Sequence, residues 1–308
     1  MDYVLDYLLT EPPGDPVDSV TAAWDRHRAV AARFAAPVDA AVAGGFAADR
    51  LGFAFLSGYQ EALRTLLPEF PAEDAVAVSA TEAGGAHPSA IRTMLTERDG
   101  AITVSGTKTF TTLGSLARRL VVIASAGAAA DGRNMLRAAL VETAAPGVTV
   151  TDLPAVPFAP EIPHATVTFT DAPATLLPGD GYTDFLKPFR TIEDVHVLAA
   201  ALGWLVRVAR ESSWPRPVLQ KLLVLVAAVR GLDLGRPGSP GVHIALGGVF
   251  EEFARVVDEL APLWEAADPI ARERWERDRP LFGTAGRVRA QRLATAWRAV
   301  GFDDETTG

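Results

Sequence analysis

The stretch TEAGGAHPSAIRTMLTERDGAITVSGTKTFTTLG, Thr81 to Gly114, sets an acid beside two glycines and then passes through a charged, hairpin-like segment. It ends in Gly-Thr-Lys, one aromatic and two threonines. Two other polar groupings stand out. Glu161 and His164 lie in FAPEIPHATVTF, a loop stiffened by Pro160 and Pro163. Glu193, Asp194 and His196 lie in RTIEDVHVLAAALG. Residues of these types can bind through backbone amides and hydroxyls, and can move protons on a carboxylate or an imidazole. Other chemistries are excluded. The chain has no cysteine, so disulfides, thiolate catalysis and Cys-ligated metals fall away. The five histidines show no HxxxH or HExxH spacing, and no metal site is expected. Ser57, Ser212 and Ser213 lack a G-x-S-x-G frame.

The elements that must position these residues follow from periodicity. In DSVTAAWDRHRAVAARFAAPVDAAVAGG, Trp24, His27, Val30, Ala31 and Phe34 fall at helical steps, and Gly44-Gly45 reads as the stop. A second helix, with Leu51, Phe55, Tyr59 and Leu63 four apart, stops at Pro68. From about Ala75 the texture changes. Six short β-branched runs bounded by Gly, Pro or Asp (AVAVSA, AITVSG, RLVVIASA, LRAALVET, GVTVTDL, ATVTFTD) predict an antiparallel β-unit, a small barrel or sandwich. Helical texture returns after Lys187 and continues to the polar tail DDETTG, which reads as frayed. The class is α+β, in three segments: a helical unit over 1–71, a β-unit over 72–182 and a helical bundle over 183–308.

The chain has 308 residues and a net charge of −9, with a pI near 5.1. No basic face is visible, which argues against a nucleic-acid partner. No run of 18 apolar residues predicts a membrane span. The N-terminus opens on an acid, unlike a signal peptide, and a cytoplasmic location is expected.

The helix–strand–helix order and two motifs give the chain a family likeness. TEAGGAHPS, Thr81 to Ser89, stands where the acyl-CoA dehydrogenase superfamily carries an acidic-Pro-Gly-Ala-Gly-Ser-Asp turn. SGTKTFTTLG, Ser105 to Gly114, resembles that family's NGxKxxITNG, and the spacing between the two matches. The resemblance implies helices, then a β-barrel, then a four-helix bundle, with FAD held between barrel and bundle. It implies that Thr81, Gly84, Gly85, Ser89, Phe110, Thr111 and Thr112 meet the cofactor, with Phe110 where the family often has a Trp on the flavin ring. A flavin has carbonyls and N5 along one edge, which hydroxyls and backbone amides reach where glycines let the main chain approach.

The sequence also departs from the family. Ala83 to Pro88 alters the first turn, and Leu113 replaces the Asn of the second motif. The segment GLDLGRPGSPGVH does not reproduce the FGxPI…Q pattern that grips the FAD diphosphate. Arg216, Arg236 and Gly247-Gly248 are the nearest stand-ins. The late Tyr-Glu-Gly base motif is missing, but some members carry the base on the first helix after the barrel. Counting back from Leu202-Gly203 puts Glu193 at that place, opening the helix, with Asp194 beside it. Acids in a first helical turn also serve the dipole and cap. His164 joins them as a candidate acid–base group. The resemblance implies a flavoprotein oxidising an acyl thioester on CoA or a carrier protein, passing electrons to an unspecified acceptor, as a homodimer or homotetramer. Two alternatives stand beside it: a flavin-poor relative doing non-redox acid–base chemistry such as cyclisation, and a non-catalytic subunit of a complex with a complete homologue.

Overall fold

A computed structural model describes residues 3–302; the tail DDETTG lies outside the described residues. Contacts divide the chain into two compact units. One comprises residues 66–156 and 160–190, the other residues 1–65, 157–159 and 191–308.

The first is a sheet unit. Its strands are β1 (Val76–Ser79), β2 (Met94–Arg98), β3 (Ala101–Thr112), β4 (Arg119–Ala128), β5 (Asn134–Glu142), β6 (Val148–Asp152), β7 (His164–Pro173) and β8 (Thr175–Leu176). The six β-branched runs all form strands. The additions are β8, of two residues, and β2, whose sequence MLTER is too polar to read as one. It pairs with β3 across Asp99-Gly100, both at positive φ (52° and 79°), the turn chemistry of a two-residue hairpin. The sheet order is β6-β7-β3-β2-β4-β5-β8, with β1 on β4. Two details correct the expected antiparallel barrel. β1 runs parallel to β4, as does one β2–β4 bridge. Among the described residues β6 and β8 do not pair, so the sheet curls as a half-barrel. The reason lies in β8, whose two residues are too short to offer a ladder. Val104, Leu120, Val122, Val141, Val167 and Phe169 fill the sheet's core, each at most 2% exposed. Burial of such side chains stabilises by about 1.5–3 kcal/mol each.

The second unit is helical. It holds α1 (Val4–Thr10), α2 (Val20–Ala31), α3 (Pro37–Ala47), α4 (Leu51–Leu66), most of α5 (Lys187–Glu211), α6 (Arg216–Arg230), α7 (Pro240–Leu260), α8 (Pro269–Asp278) and α9 (Gly286–Ala299). The long N-terminal helix expected up to Gly44-Gly45 is two helices. Ser19 caps α2 by accepting from the Ala22 amide, and Pro37 opens α3 at a position where its missing N–H costs nothing. Gly44-Gly45 is therefore not a stop; it lies inside α3. A Cβ on Gly45 would stand 1.9 Å from the Ala200 carbonyl, and one on Gly203 would stand 2.0 Å from that of Val42. Glycines at these crossings let α3 and α5 touch backbone to backbone. Trp204, Trp264 and Trp275 stack nearby in the same core, with ring centroids 5.2–6.0 Å apart.

α5 also starts earlier than expected. It begins at Lys187 and is extended backward by a π-helical turn over Gly181–Leu186. Asp180 caps that turn, accepting from the amides of Tyr182 at 2.9 Å and Thr183 at 2.7 Å. Glu193 and Asp194 thus sit in the second turn of α5, where neither can cap it. Pro188 falls in the first turn, where proline is tolerated, so it does not mark the boundary. Gly247-Gly248 lies inside α7 rather than in a turn. No described helix is long and apolar enough to cross a membrane. Among the described residues no cluster of three His, Asp or Glu side chains is placed to hold a metal.

Candidate functional site

In the sheet unit the two motifs lie side by side. The amides and carbonyls of Glu82 and Gly85 pair across Ala83-Gly84, at 3.1 and 2.8 Å. Gly85 has φ 94°, a conformation open to glycine and strained for other residues. Thr81 bridges Phe110, and its carbonyl accepts from the Thr109 amide at 2.8 Å.

A buried ion pair locks the motifs together. The Lys108 ammonium, 0% exposed, donates to Glu82 Oε1 at 2.7 Å and to the carbonyls of Ile123 and Ala80 at 2.6 and 3.3 Å. Glu82 also accepts from the amides of Arg92 at 2.8 Å and Thr93 at 3.0 Å. Burial raises the Glu82 carboxyl, but the Lys108 hydrogen bond and charge and the two amides outweigh it and hold the group below its ordinary value. Burial lowers the Lys108 ammonium, and Glu82 offsets only part of that. Neither residue was singled out from sequence, although a signal existed. Counting by two along β3 from the buried Val104 places Lys108 on the inner face.

The end of β3 beside β7 presents the other face. Phe110 is 38% exposed and stacks on His164, with centroids 4.3 Å apart and planes 24° off parallel. Thr112 is the register partner of His164 and is half-buried. His164 Nδ1 is buried without a hydrogen-bond partner, and burial lowers the imidazole's pKa. Thr111 turns the other way. It is fully buried and its hydroxyl lies 2.7 Å from that of Ser79. Leu113 takes φ 59°, a left-handed conformation that asparagine tolerates better than leucine. Its complete burial and the bond from its amide to the Pro163 carbonyl hold it there.

Gly84 is exposed. Ser89 is exposed too, its hydroxyl 2.7 Å from His87 Nδ1. Ser89 and His87 line a cleft of about 710 Å³, together with Arg92, Arg133, Asn134 and Tyr182.

Glu193 and Asp194 belong to the helical unit. Glu193 is half-buried and lines a cavity of about 90 Å³ whose walls include Phe55, Val197, Leu198, Phe250 and Phe282. Asp194 also reaches that cavity but is engaged elsewhere. It accepts from Arg289 at 3.0 Å and from Arg292, both on α9. His196 is 1% exposed. Its Nδ1 donates to the Ile192 carbonyl at 2.8 Å, and its Nε2 lies 2.9 Å from the Thr65 hydroxyl. The sequence-derived residues therefore fall into a set on the sheet unit (Thr81, Gly84, Gly85, Ser89, Phe110, Thr112, His164), a pair on α5, and the inward-turned Thr111.

Residues 75–172 match the acyl-CoA dehydrogenase middle-domain family. No curated protein matches the chain. Among solved structures, a prolyl acyl carrier protein oxidase, AnaB, is 12% identical over 97% of each chain, with a TM-score of 0.68. FMN-bound TdsC from Paenibacillus sp. A11-2 is 18% identical over 86% of this chain and 84% of its own, at 0.67. A glutaryl-CoA dehydrogenase from Mycobacterium smegmatis in complex with FADH2 is 13% identical over 97% of this chain and 92% of its own, at 0.65. At such identities the structures speak to fold. Over residues 75–172 the chain is therefore similar to the acyl-CoA dehydrogenase middle domain, and as a whole it shares the fold of these proteins.

Proposed function

We propose that the protein is a flavin-dependent oxidoreductase that desaturates an acyl thioester, with FAD as the first candidate cofactor and FMN as the second. The observation that carries this reading is the half-exposed Phe110 stacked on His164, whose buried Nδ1 has no partner. An exposed aromatic platform beside an orphaned buried polar atom suits a flat heteroaromatic ring with polar edges. The residues fit such a ring. Phe110 offers a face, Thr81 and Thr112 offer hydroxyls and amides at its edge, and the Gly84-Gly85 turn allows close approach of the main chain. Thr111, buried against Ser79, is left out of this face. Glycoside, peptide or phosphoryl chemistry finds no comparable arrangement among the described residues.

A flavin held at this face would supply the acceptor for a hydride from the substrate's β-carbon. The chain's own task is to take the proton from the α-carbon, and Glu193 is the proposed base. It lines a cavity whose walls include Phe55, Phe250 and Phe282. Asp194 is not available for this, because two guanidiniums hold it. In the sheet unit, Arg92 and Arg133 line the large cleft beside Ser89, Asn134 and Tyr182, with one carboxylate, Asp180. This suits the phosphates of a CoA or carrier-protein arm. We also propose a homodimer or larger assembly. α6 leaves Val224 66% exposed in an apolar stretch, and native mass measurement yielding only a 32.6 kDa species refutes that part.

One observation favours the non-redox alternative. His164, half-buried and with its imidazole held below the ordinary value by burial, is a proton acceptor that needs no cofactor. Reconstitution decides between the two. Purified protein is titrated with FAD and with FMN, and the flavin absorption is followed on adding short acyl thioesters. Bleaching by a thioester, lost by about 10²–10⁴-fold in rate in Glu193→Gln with flavin uptake intact, supports the proposal. A fully active Glu193→Gln overturns the base assignment. Failure to take up either flavin overturns the redox reading and leaves His164 as the group to test.

A further inference from the structure

Phe250 and Arg289 form a wall shared by two cavities of the helical unit. One is the Glu193 cavity. The other is a void of about 210 Å³ between α7 and α9, floored by Leu246, Gly247, Ala290 and Leu293, with His243 and Arg292 at its polar end. The floor is apolar and is open because residue 247 is glycine. A Cβ there would come within 2.9 Å of the Leu293 side chain.

The polar end carries two guanidiniums. Arg289 and Arg292, 18% and 17% exposed, converge on the single carboxylate of Asp194. Arg292 also donates to the Thr191 hydroxyl at 2.8 Å, and Arg289 to the Phe282 carbonyl. Arg289 lies 4.1 Å from the centre of the Phe250 ring. Two part-buried guanidiniums thus share one carboxylate. Glu251 stands at the mouth, 66% exposed and 4.0 Å from Arg255. His243 Nε2 faces the Thr191 hydroxyl at 3.3 Å. Glu193 lines the cavity on the other side of the wall. A planar guanidinium pair at the end of an apolar cavity is a natural seat for a carboxylate.

We propose that this void binds a small apolar monocarboxylate of the size of hexanoate or benzoate. Its hydrocarbon part lies on Leu246, Gly247, Ala290 and Leu293, and its carboxylate lies on the Arg289–Arg292 pair. The volume is below the roughly 300–1,000 Å³ of drug-sized sites, which sets the size class. The proposal does not depend on the flavin reading, since it does not use the Phe110 face and is tested without cofactor.

The test is calorimetric titration of the cofactor-free protein with hexanoate and benzoate, against hexanol and benzyl alcohol. Saturable 1:1 binding is expected, with the acids preferred by about tenfold or more, the worth of one charge-assisted contact. Gly247→Val pushes the Leu293 methyls into the void and is expected to abolish binding while circular dichroism stays native. Ala290→Phe fills the same space from α9 and serves if Gly247→Val fails to fold. Arg292→Gln is expected to remove the preference for acids over alcohols. No saturable binding, equal affinity for acid and alcohol, or full affinity in a folded cavity-filling variant each overturns the proposal.

Discussion

Replacing Lys108 by methionine keeps the length and apolar stem of the side chain and deletes its charge. In the native sheet the three ammonium protons go to Glu82 Oε1, the Ile123 carbonyl and the Ala80 carbonyl, the full donor capacity of a lysine. The substitution strands a carboxylate that is 8% exposed, although the Arg92 and Thr93 amides still reach it. Breaking one side of a buried pair costs about 3–5 kcal/mol. At about 2–4 °C per kcal/mol for a chain of this order, the melting temperature falls by about 6–20 °C. Glu82→Gln strands the lysine and is expected to cost a similar amount. The double variant costs less than the sum, because each single change leaves a partner unsatisfied; the coupling expected is about 1–3 kcal/mol. Urea unfolding followed by circular dichroism gives all three values. The pair also predicts an acid limb. The folded Glu82 carboxyl lies below its unfolded value, so its contribution is complete above the unfolded pKa and is lost as pH falls through the folded one. The double variant is expected to have a flatter stability profile across that window. Single variants within about 0.5 kcal/mol of wild type, or strictly additive costs, refute the strut.

Asp194→Asn releases two arginines of α9 from one partner; with all three side chains only part-buried, the expected cost is about 2–3 kcal/mol, between exposed and buried pairs, read by the same unfolding assay. Gly45→Ala forces a methyl against the Ala200 carbonyl and is expected to cost at least the about 1–3 kcal/mol of overpacking; a stability equal to wild type contradicts the α3–α5 crossing. Burial holds His164 below its ordinary value, so the unfolded chain binds more protons in the window beneath about pH 6.5. Wild-type stability is therefore expected to fall faster on acidification than that of His164→Phe, which keeps the stack on Phe110, when both are followed by thermal melts.

What the sequence made legible was local. The β-branched runs read as strands because each lies on a half-buried surface with period two, and α4 to α7 read as helices because their apolar stripes are long. β2 escaped because MLTER owes its place to the Asp99-Gly100 turn and to its neighbours rather than to its own pattern. Gly44-Gly45 misled because a glycine pair marks a helix end in an isolated chain, whereas here it serves a crossing with Ala200, which is distant in sequence. The start of α5 was misjudged for a related reason: the Asp180 cap acts through a π turn that periodicity does not register. In the candidate site, period two alone does not give the sense of Thr111, which depends on the irregular β3–β7 register between Lys108 and Thr111. The partnership of Asp194 with Arg289 and Arg292 spans nearly a hundred residues, and no local pattern announces it.

The central claim is that the Phe110 face of the sheet unit receives a flavin ring. The most direct measurement is equilibrium titration of the cofactor-free protein with FAD and FMN, read by quenching of flavin fluorescence, for wild type and Phe110→Ala. Phe110 is partly exposed, so its removal is expected to cost less than the about 3–5 kcal/mol of a buried phenylalanine and to leave the protein folded. The account predicts saturable binding of at least one flavin by wild type and a loss of affinity of about tenfold in Phe110→Ala, the worth of one aromatic stack. Wild-type protein that binds neither flavin, or a folded Phe110→Ala that binds as tightly as wild type, contradicts it.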